Sequence, residues 1–399
     1  MKLIKITAAA LVAFTALTGI AFAETIPLSE NFYNPKPINR FPDTKSGRKV
    51  LLGDFHTHTD WGHGGLSVED RVLDSYNWGM DILAITEHGN IWGAVANTPA
   101  DSKWLPKDAD SATAIVERTL STMNRQPMDL HKTAAPLAEK YGLIYFYGVE
   151  TGIAGKEHIV AFNIPKDYKS DAYDHWLAED PGQGNAVYYR DRFKLLASDG
   201  GFILYPHPHY GYAREQVQWS VDNGLIKGIE VMNGSSDTPE NEPWGATKGE
   251  VGWRWYGAFD YALKNNIGIF ANTDAHGERG DTFTLVLAEE RSAEAVVKAC
   301  NELRTVAYFD NMLWGRERDI DDIISTSVEV SKTKIAKNLE MVRFANKSPM
   351  TMKINVLDRD IEVPPYNNVL VRNETGKKHF EITFKNVWIS ESAKFVKKY

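Results

Sequence analysis

Cysteine is almost missing from this 399-residue sequence, with Cys300 the only one. No disulfide can form within the chain, so stability has to come from packing and from any ion it holds. Cys300 lies in SAEAVVKACNELR, where apolar residues recur at helical spacing, and it reads as a buried small hydrophobe rather than a nucleophile. An excess of positive charge is missing too. The 45 Lys and Arg against 53 Asp and Glu give a net −8, which argues against a nucleic-acid binder. The sequence has no G-x-S-x-G elbow, no P-loop and no dinucleotide fingerprint, so it lacks the usual signatures of serine hydrolases and nucleotide-binding folds.

Long apolar runs are confined to the start. Lys2 and Lys5 precede the uncharged stretch 6–22, and Ala21-Phe22-Ala23 is a small-x-small cleavage site. This is the three-part pattern of a secretory signal peptide over residues 1–23, and it predicts export to the periplasm or the extracellular space. Removing those 23 residues with their two lysines leaves 376 residues and moves the net charge from −8 to −10. No later stretch is apolar for long enough to span a bilayer, so a mature chain without a membrane span is expected. Residues 24–48 are rich in Asn, Pro and Lys and read as an extended arm.

From Val50 the pattern changes. Apolar runs at Val50–Phe55, Asp81–Thr86, Leu143–Val149, His158–Ile164, Phe202–Tyr205, Gly228–Met232, Gly268–Thr273 and Thr284–Leu287 have the length and composition of strands. Between them lie amphipathic stretches near 67–78, 111–121, 127–140, 187–199, 214–223, 251–265 and 292–304. Strand and helix in alternation favour a parallel α/β architecture, and the number of repeats favours a barrel, over residues 49–320. The irregular stretch 91–110 opens an insertion, 91–140, that could form one wall of a pocket, and a second irregular stretch, 234–250, reads either as a functional loop or as a packed surface loop. Past about Asp321, short alternating segments at Met341–Asn346, Met352–Leu357, Asn368–Asn373 and Phe380–Phe384 predict a small all-β domain over 321–399.

The chemistry is concentrated at strand ends. Asp54-Phe55-His56-Thr57-His58 closes the first predicted strand, and residues two apart on a strand share a face, so His56 and His58 can bind one ion together. Thr86-Glu87-His88 closes the second and Glu150 the third. His158 opens the fourth, His207 follows the fifth, and Asp274-Ala275-His276 follows Gly268–Thr273. Of 11 histidines, seven fall at these places once His63, in the loop after the first motif, is included, an alignment that core histidines would not show. Strand ends on one rim of an α/β barrel face a shared mouth. Imidazole with carboxylate suits zinc, manganese or iron.

The ordered set DFHTH, AITEH, GVE, HIV, YPHP and NTDAH resembles the PHP (polymerase and histidinol phosphatase) superfamily over roughly residues 50–310. The resemblance implies a distorted seven-stranded (β/α) barrel carrying two or three divalent ions, with phosphomonoesterase, phosphodiesterase or exonuclease activity. The exported form with a β-rich tail also resembles a branch that includes carbamate and ester hydrolases. Carried over, the pattern makes His56, His58 and Asp274 ligands of a first ion and Glu150 its bridge to a second. His158 and His207 complete the second site, and His88 and His276 belong to a third. The family usually has an aspartate where this sequence has His63, which brings no negative charge to the third site. The usual Thr-Asp-His is Thr-Glu-His here.

Other residues have more than one reading. His209, two residues beyond His207, is a candidate proton donor or substrate contact. Asp54 is a candidate to orient the histidines. Trp61, Tyr210 and Tyr212 border the motifs, and Arg214, Arg254, Arg279 and Lys156 lie near loops where a phosphate could be held. His131, His175 and His379 sit away from strand ends and read as surface residues. The expected reaction is hydrolysis of a small-molecule phosphate ester by a metal-activated hydroxide, with His209 and Asp274 as catalytic candidates. Two alternatives remain: hydrolysis of a carboxylic ester, carbamate or amide at the same centre, and a metal-binding protein without catalysis. The sequence does not fix the oligomeric state.

Overall fold

The computed structural model describes residues 40–61, 64–87, 129–154, 157–165, 193–194, 196–198, 200–208, 214–234, 246–248, 253–337, 339–374 and 379–399. The predicted signal peptide, the arm up to residue 39 and most of both irregular stretches therefore lie outside the described residues.

In chain order the elements are β1 (Lys49–Asp54), α1 (Val68–Asn77), β2 (Ile82–Ile85), α2 (Leu130–Lys140), β3 (Ile144–Ala154), β4 (Glu157–Phe162), β5 (Phe202–Tyr205), α3 (Arg214–Asp222), β6 (Ile226–Asn233), β7 (Ala246–Lys248), β8 (Trp253–Trp255), α4 (Tyr256–Asn265), β9 (Gly268–Asn272), β10 (Thr282–Ala288), α5 (Ala293–Asn301), β11 (Thr305–Phe309), β12 (Met312–Gly315) and α6 (Glu317–Ser327). The remaining elements are all strands: β13 (Val328–Ala336), β14 (Leu339–Asn346), β15 (Met352–Val356), β16 (Arg359–Val363), β17 (Asn368–Asn373), β18 (Glu381–Trp388) and β19 (Lys394–Lys398).

The eight expected strands all form, in a mixed α/β fold. β1, β2 and β3 pair in parallel, as do β5, β6 and β9. Between these groups β4 runs antiparallel to both β3 and β5. Only two residues separate β3 from β4, and a parallel return needs a crossover of a dozen or more. β10 is antiparallel to β1 and carries β11 and β12 beyond it.

The free side of β9 meets β1, β10 and β11 through side chains. The amide of Ile269 donates to Thr305 Oγ1 at 3.1 Å and that of Ala271 to Thr284 Oγ1 at 3.0 Å, while Thr284 returns its hydroxyl hydrogen to the Ala271 carbonyl at 2.9 Å. Farther along, Asn272 Oδ1 accepts from the amide of Phe55 at 2.9 Å, and a single parallel bridge joins Thr57 to Ala275. Three threonine and asparagine side chains thus satisfy backbone groups that a strand ladder would otherwise pair.

Helix ends follow local chemistry. Ser67 caps α1 by accepting the Asp70 amide, and Ser292 caps α5 by accepting that of Ala295. Cys300 on α5 is fully buried, as expected, and burial pushes its thiol well above its usual pKa. Beneath the site, Phe55, Phe162, Phe202 and Phe270 pack ring against ring with centroids 4.5–6.5 Å apart. Gly228 is required there, because a Cβ at that position would sit 2.5 Å from the Phe270 ring.

The C-terminal strands form two groups. β13, β14 and β17 make a three-stranded antiparallel sheet. β15, β16, β18 and β19 join the main sheet, because β18 pairs in parallel with β12. Helix α6 runs through the position where helical periodicity was expected to end, with Ile320, Ile323 and Ile324 buried on one face. No helix among the described residues is long and apolar enough to cross a membrane.

Candidate metal centre

Strand ends bring the site together. His56 and His58 follow β1, Glu150 lies within β3, His158 within β4, and His207 follows β5. Asp274 follows β9, and its amide donates to the His56 carbonyl at 2.8 Å. The His58 amide donates to the Ala275 carbonyl at 3.1 Å, so the backbone clasps the first and last motifs to each other.

Two ligand sets result, and Glu150 belongs to both. His56, His58, Glu150 and Asp274 each offer an atom within 4.8 Å of the others, as do Glu150, His158 and His207. Glu150 Oε2 lies 3.2 Å from both His56 Nε2 and His58 Nε2. Its Oε1 lies 2.7 Å from His158 Nδ1 and 2.9 Å from His207 Nε2. Asp274 Oδ1 lies 3.3 Å from His56 Nε2 and 3.0 Å from His58 Nε2. All four side chains of the first set are buried.

The electrostatics fit a cation. Burial alone would lower the pKa of His56, yet Asp274, Glu150 and Glu230 override it and hold that pKa well above the usual histidine range. His58 behaves alike: burial opposes the charge, and the carboxylates of Asp274, Glu150 and Glu87 outweigh it. His207 is raised against burial mainly by Glu150. Asp274 is held well below the usual carboxylate range, the histidines outweighing its burial. A divalent ion bound here would meet the same carboxylate charge and compete with protons for the imidazole nitrogens. His56 Nε2 and Asp274 Oδ1 are buried, and neither makes an aligned hydrogen bond among the described residues. Buried polar atoms are rarely left so unless something else binds them. Two imidazoles with two carboxylates are a ligand set that zinc, manganese or iron accepts.

The histidines are backed by carboxylates. Glu230 Oε1 lies 3.0 Å from His56 Nδ1. Glu87 Oε2 lies 3.6 Å from His58 Nδ1, while its Oε1 accepts the Thr59 hydroxyl at 2.6 Å and the Thr59 amide. Glu230 was missed in the sequence, although a charged residue inside the apolar strand IKGIEVMN is itself a signal. Asp54 accepts the Thr273 hydroxyl at 2.6 Å, the Thr273 amide at 3.2 Å and the His56 backbone amide at 3.5 Å.

The other expectations divide. His276 belongs to neither set: its ring stacks on that of His58 at 4.5 Å, and its Nδ1 lies 2.8 Å from the Asp274 carbonyl. His63, His88 and His209 lie outside the described residues, as do His175, Tyr210, Tyr212 and Lys156. The Arg279 guanidinium is buried, donating to Thr282 O at 2.8 Å and to Asp54 at 3.4 Å. Arg254 pairs with Asp310 at 3.5 Å. His131 is a correction. Expected at the surface, it is buried on α2, with Nδ1 2.5 Å from the Tyr145 hydroxyl and its ring against Tyr147. Leu130 and Ala134 are buried on the same helix, so the polar neighbours in the sequence hid an inward-facing position. His379 is exposed, as expected.

No family model matches the sequence, and no curated protein does. Among solved structures, a two-domain protein from Bacteroides vulgatus containing a predicted PHP-like metal-dependent phosphoesterase superposes with a TM-score of 0.65 at 21% identity, covering 90% of this chain and 98% of that one. A proposed metal-dependent phosphoesterase from Bifidobacterium adolescentis gives 0.34 at 14% identity over 62% of this chain and 94% of its own. An amidohydrolase from Chromobacterium violaceum, with sulfate bound and no metal, gives 0.34 at 14% over 57% and 89%. Scores of 0.34 carry no weight. The first likeness shows that the chain shares the fold of a PHP-like protein, in agreement with the resemblance in its motifs.

Proposed function

We propose that this chain is a metal-dependent phosphoesterase with two divalent ions bridged by Glu150. The observation that carries the proposal is the division of one buried carboxylate between two ligand sets, Oε2 toward His56 and His58 and Oε1 toward His158 and His207. The phosphate ester as substrate is supported by the activity ascribed to the Bacteroides protein of the same fold. The side-chain links from β9 back to β1, β10 and β11 support a closed, distorted barrel. Export, from the leader pattern, belongs to the same proposal.

In this reading His56, His58 and Asp274 hold the first ion, His158 and His207 the second, and Glu150 both. Divalent ions at such a centre supply Lewis acidity and a water of lowered pKa at neutral pH. The chain supplies a closed cage of fixed geometry. Asp274 is held in place through Oδ2, which accepts from the side-chain Nδ2 of Asn233 at 3.2 Å, leaving Oδ1 toward the histidines. His276 and, beyond the described residues, His63 and His88 are the candidates for a third ion, and His209 for protonating the leaving oxygen.

A panel of p-nitrophenyl phosphate, bis-p-nitrophenyl phosphate and p-nitrophenyl acetate, assayed with added zinc or manganese and after chelation, tests the proposal. Phosphate-ester turnover that chelator abolishes and metal restores is expected. Turnover of the acetate alone would move the activity to carboxylic esters, and turnover untouched by chelation would remove the metal from the reaction.

A further inference from the structure

We infer that Glu230 is a positioning residue serving both ion sites at once, an inference that rests on the metal-centre reading above. Its two oxygens divide the task. Oε1 faces His56 Nδ1 at 3.0 Å and accepts from Asn272 Nδ2 at 2.8 Å. Oε2 accepts the backbone amide of His207 at 2.8 Å and Asn233 Nδ2 at 3.0 Å. Four donors on one fully buried carboxylate make a fixed anchor, because an ionised carboxylate accepts only and has room for all of them.

Each oxygen constrains a different ligand. An Nδ1 that donates to Oε1 orients the His56 ring so that Nε2 points to Glu150 Oε2 and Asp274 Oδ1. The second oxygen acts on main chain. His207 stands at φ 21°, a conformation that residues other than glycine seldom adopt and that persists only where surroundings hold it. The amide that Oε2 receives is that of His207 itself, so Glu230 holds the turn that aims the His207 ring at Glu150 Oε1. A register shift in β6 between Glu230 and Met232 lets Glu230 and Asn233, three residues apart, meet on one face. Glu87 is the contrast, since its carboxylate meets His58 of the first set and Thr59 beside it.

The test is calorimetric titration of the chelator-stripped full-length chain with Zn²⁺ alone, comparing wild type with Glu230→Gln, Glu230→Asp and Glu87→Gln. Glutamine is isosteric but turns one oxygen into a donor that faces other donors. Aspartate keeps the charge and falls one methylene short. Weakening of both sites by about 10- to 100-fold is expected for Glu230→Gln, by a smaller factor for Glu230→Asp, and at one site only for Glu87→Gln. Wild-type affinity at either site in the Glu230 variants would overturn the inference. Should the wild type take up no zinc, the metal-centre reading itself fails. Crystal structures of stripped Glu230→Gln and Glu230→Asp then decide the positioning claim alone: a turned His56 ring and a relaxed His207 backbone support it, and both unmoved would overturn it.

Discussion

Arg71 Nε donates to the carbonyl of His58 at 3.0 Å, from a side chain with no solvent exposure on helix α1. The same guanidinium donates through one terminal nitrogen to the carbonyls of Ala275 at 2.8 Å and Gly277 at 2.5 Å, and through the other to Asp74 at 2.9 Å. One planar fork therefore ties the loop after β1, which carries two histidines of the first ligand set, to the loop after β9, which carries its aspartate.

Replacing Arg71 by lysine keeps the charge and loses the fork, because an ammonium is a single point with three donors on a flexible stem. Arg71→Lys is expected to lower unfolding free energy by on the order of 2–4 kcal/mol, as carbonyls in a buried network lose their donors. It should also weaken zinc at the first site about tenfold. Urea denaturation of the stripped chain reads the first effect and zinc titration the second. Unchanged zinc affinity in a folded variant would mean that the backbone clasp between His58 and Ala275 positions the ligands unaided.

A second expectation concerns pH and lies away from the ligands. Burial lowers the pKa of His131 to about 4, partly offset by a hydrogen bond to Gly148, against 6.5 in an unfolded chain. The unfolded state therefore binds a proton first as pH falls. The stability tied to neutral His131 is fully present above pH 6.5 and is lost progressively toward pH 4. By pH 5 the loss should reach roughly 2 kcal/mol. Urea denaturation at pH 7 and pH 5 should show a steeper fall for the wild type than for His131→Gln. Parallel slopes would show that His131 is hydrated or protonated in the folded chain.

The sequence revealed the parts of the site in which chemistry and strand ends coincide. His56, His58, Glu150, His158, His207 and Asp274 stand where apolar runs begin or end, and the structure brings those six together in the two sets. The partners that hold them were less visible for a physical reason. Glu230 and Arg71 are charged residues inside otherwise ordinary strand and helix patterns, and their roles come from contacts 174 and 204 residues away in sequence. His131 was misread because helix α2 places it inward beside Tyr145 and Tyr147, residues that join it only when α2 packs on β3. The antiparallel β4 follows from a connection too short for a crossover: two residues in the structure, and only residues 150–157 between the strands as read from the sequence. β11, β12 and α6 were missed although the signals were there: TVAYF and MLWG are apolar runs either side of Asp310-Asn311, and Ile320, Ile323 and Ile324 recur at helical spacing.

The shared carboxylate is tested most directly by anomalous diffraction from crystals grown with zinc, with data on both sides of the zinc absorption edge. Two anomalous peaks flanking Glu150 are expected, one against His56, His58 and Asp274 and the other against His158 and His207. A single peak that does not touch Glu150, or no peak within this cluster, would contradict the account.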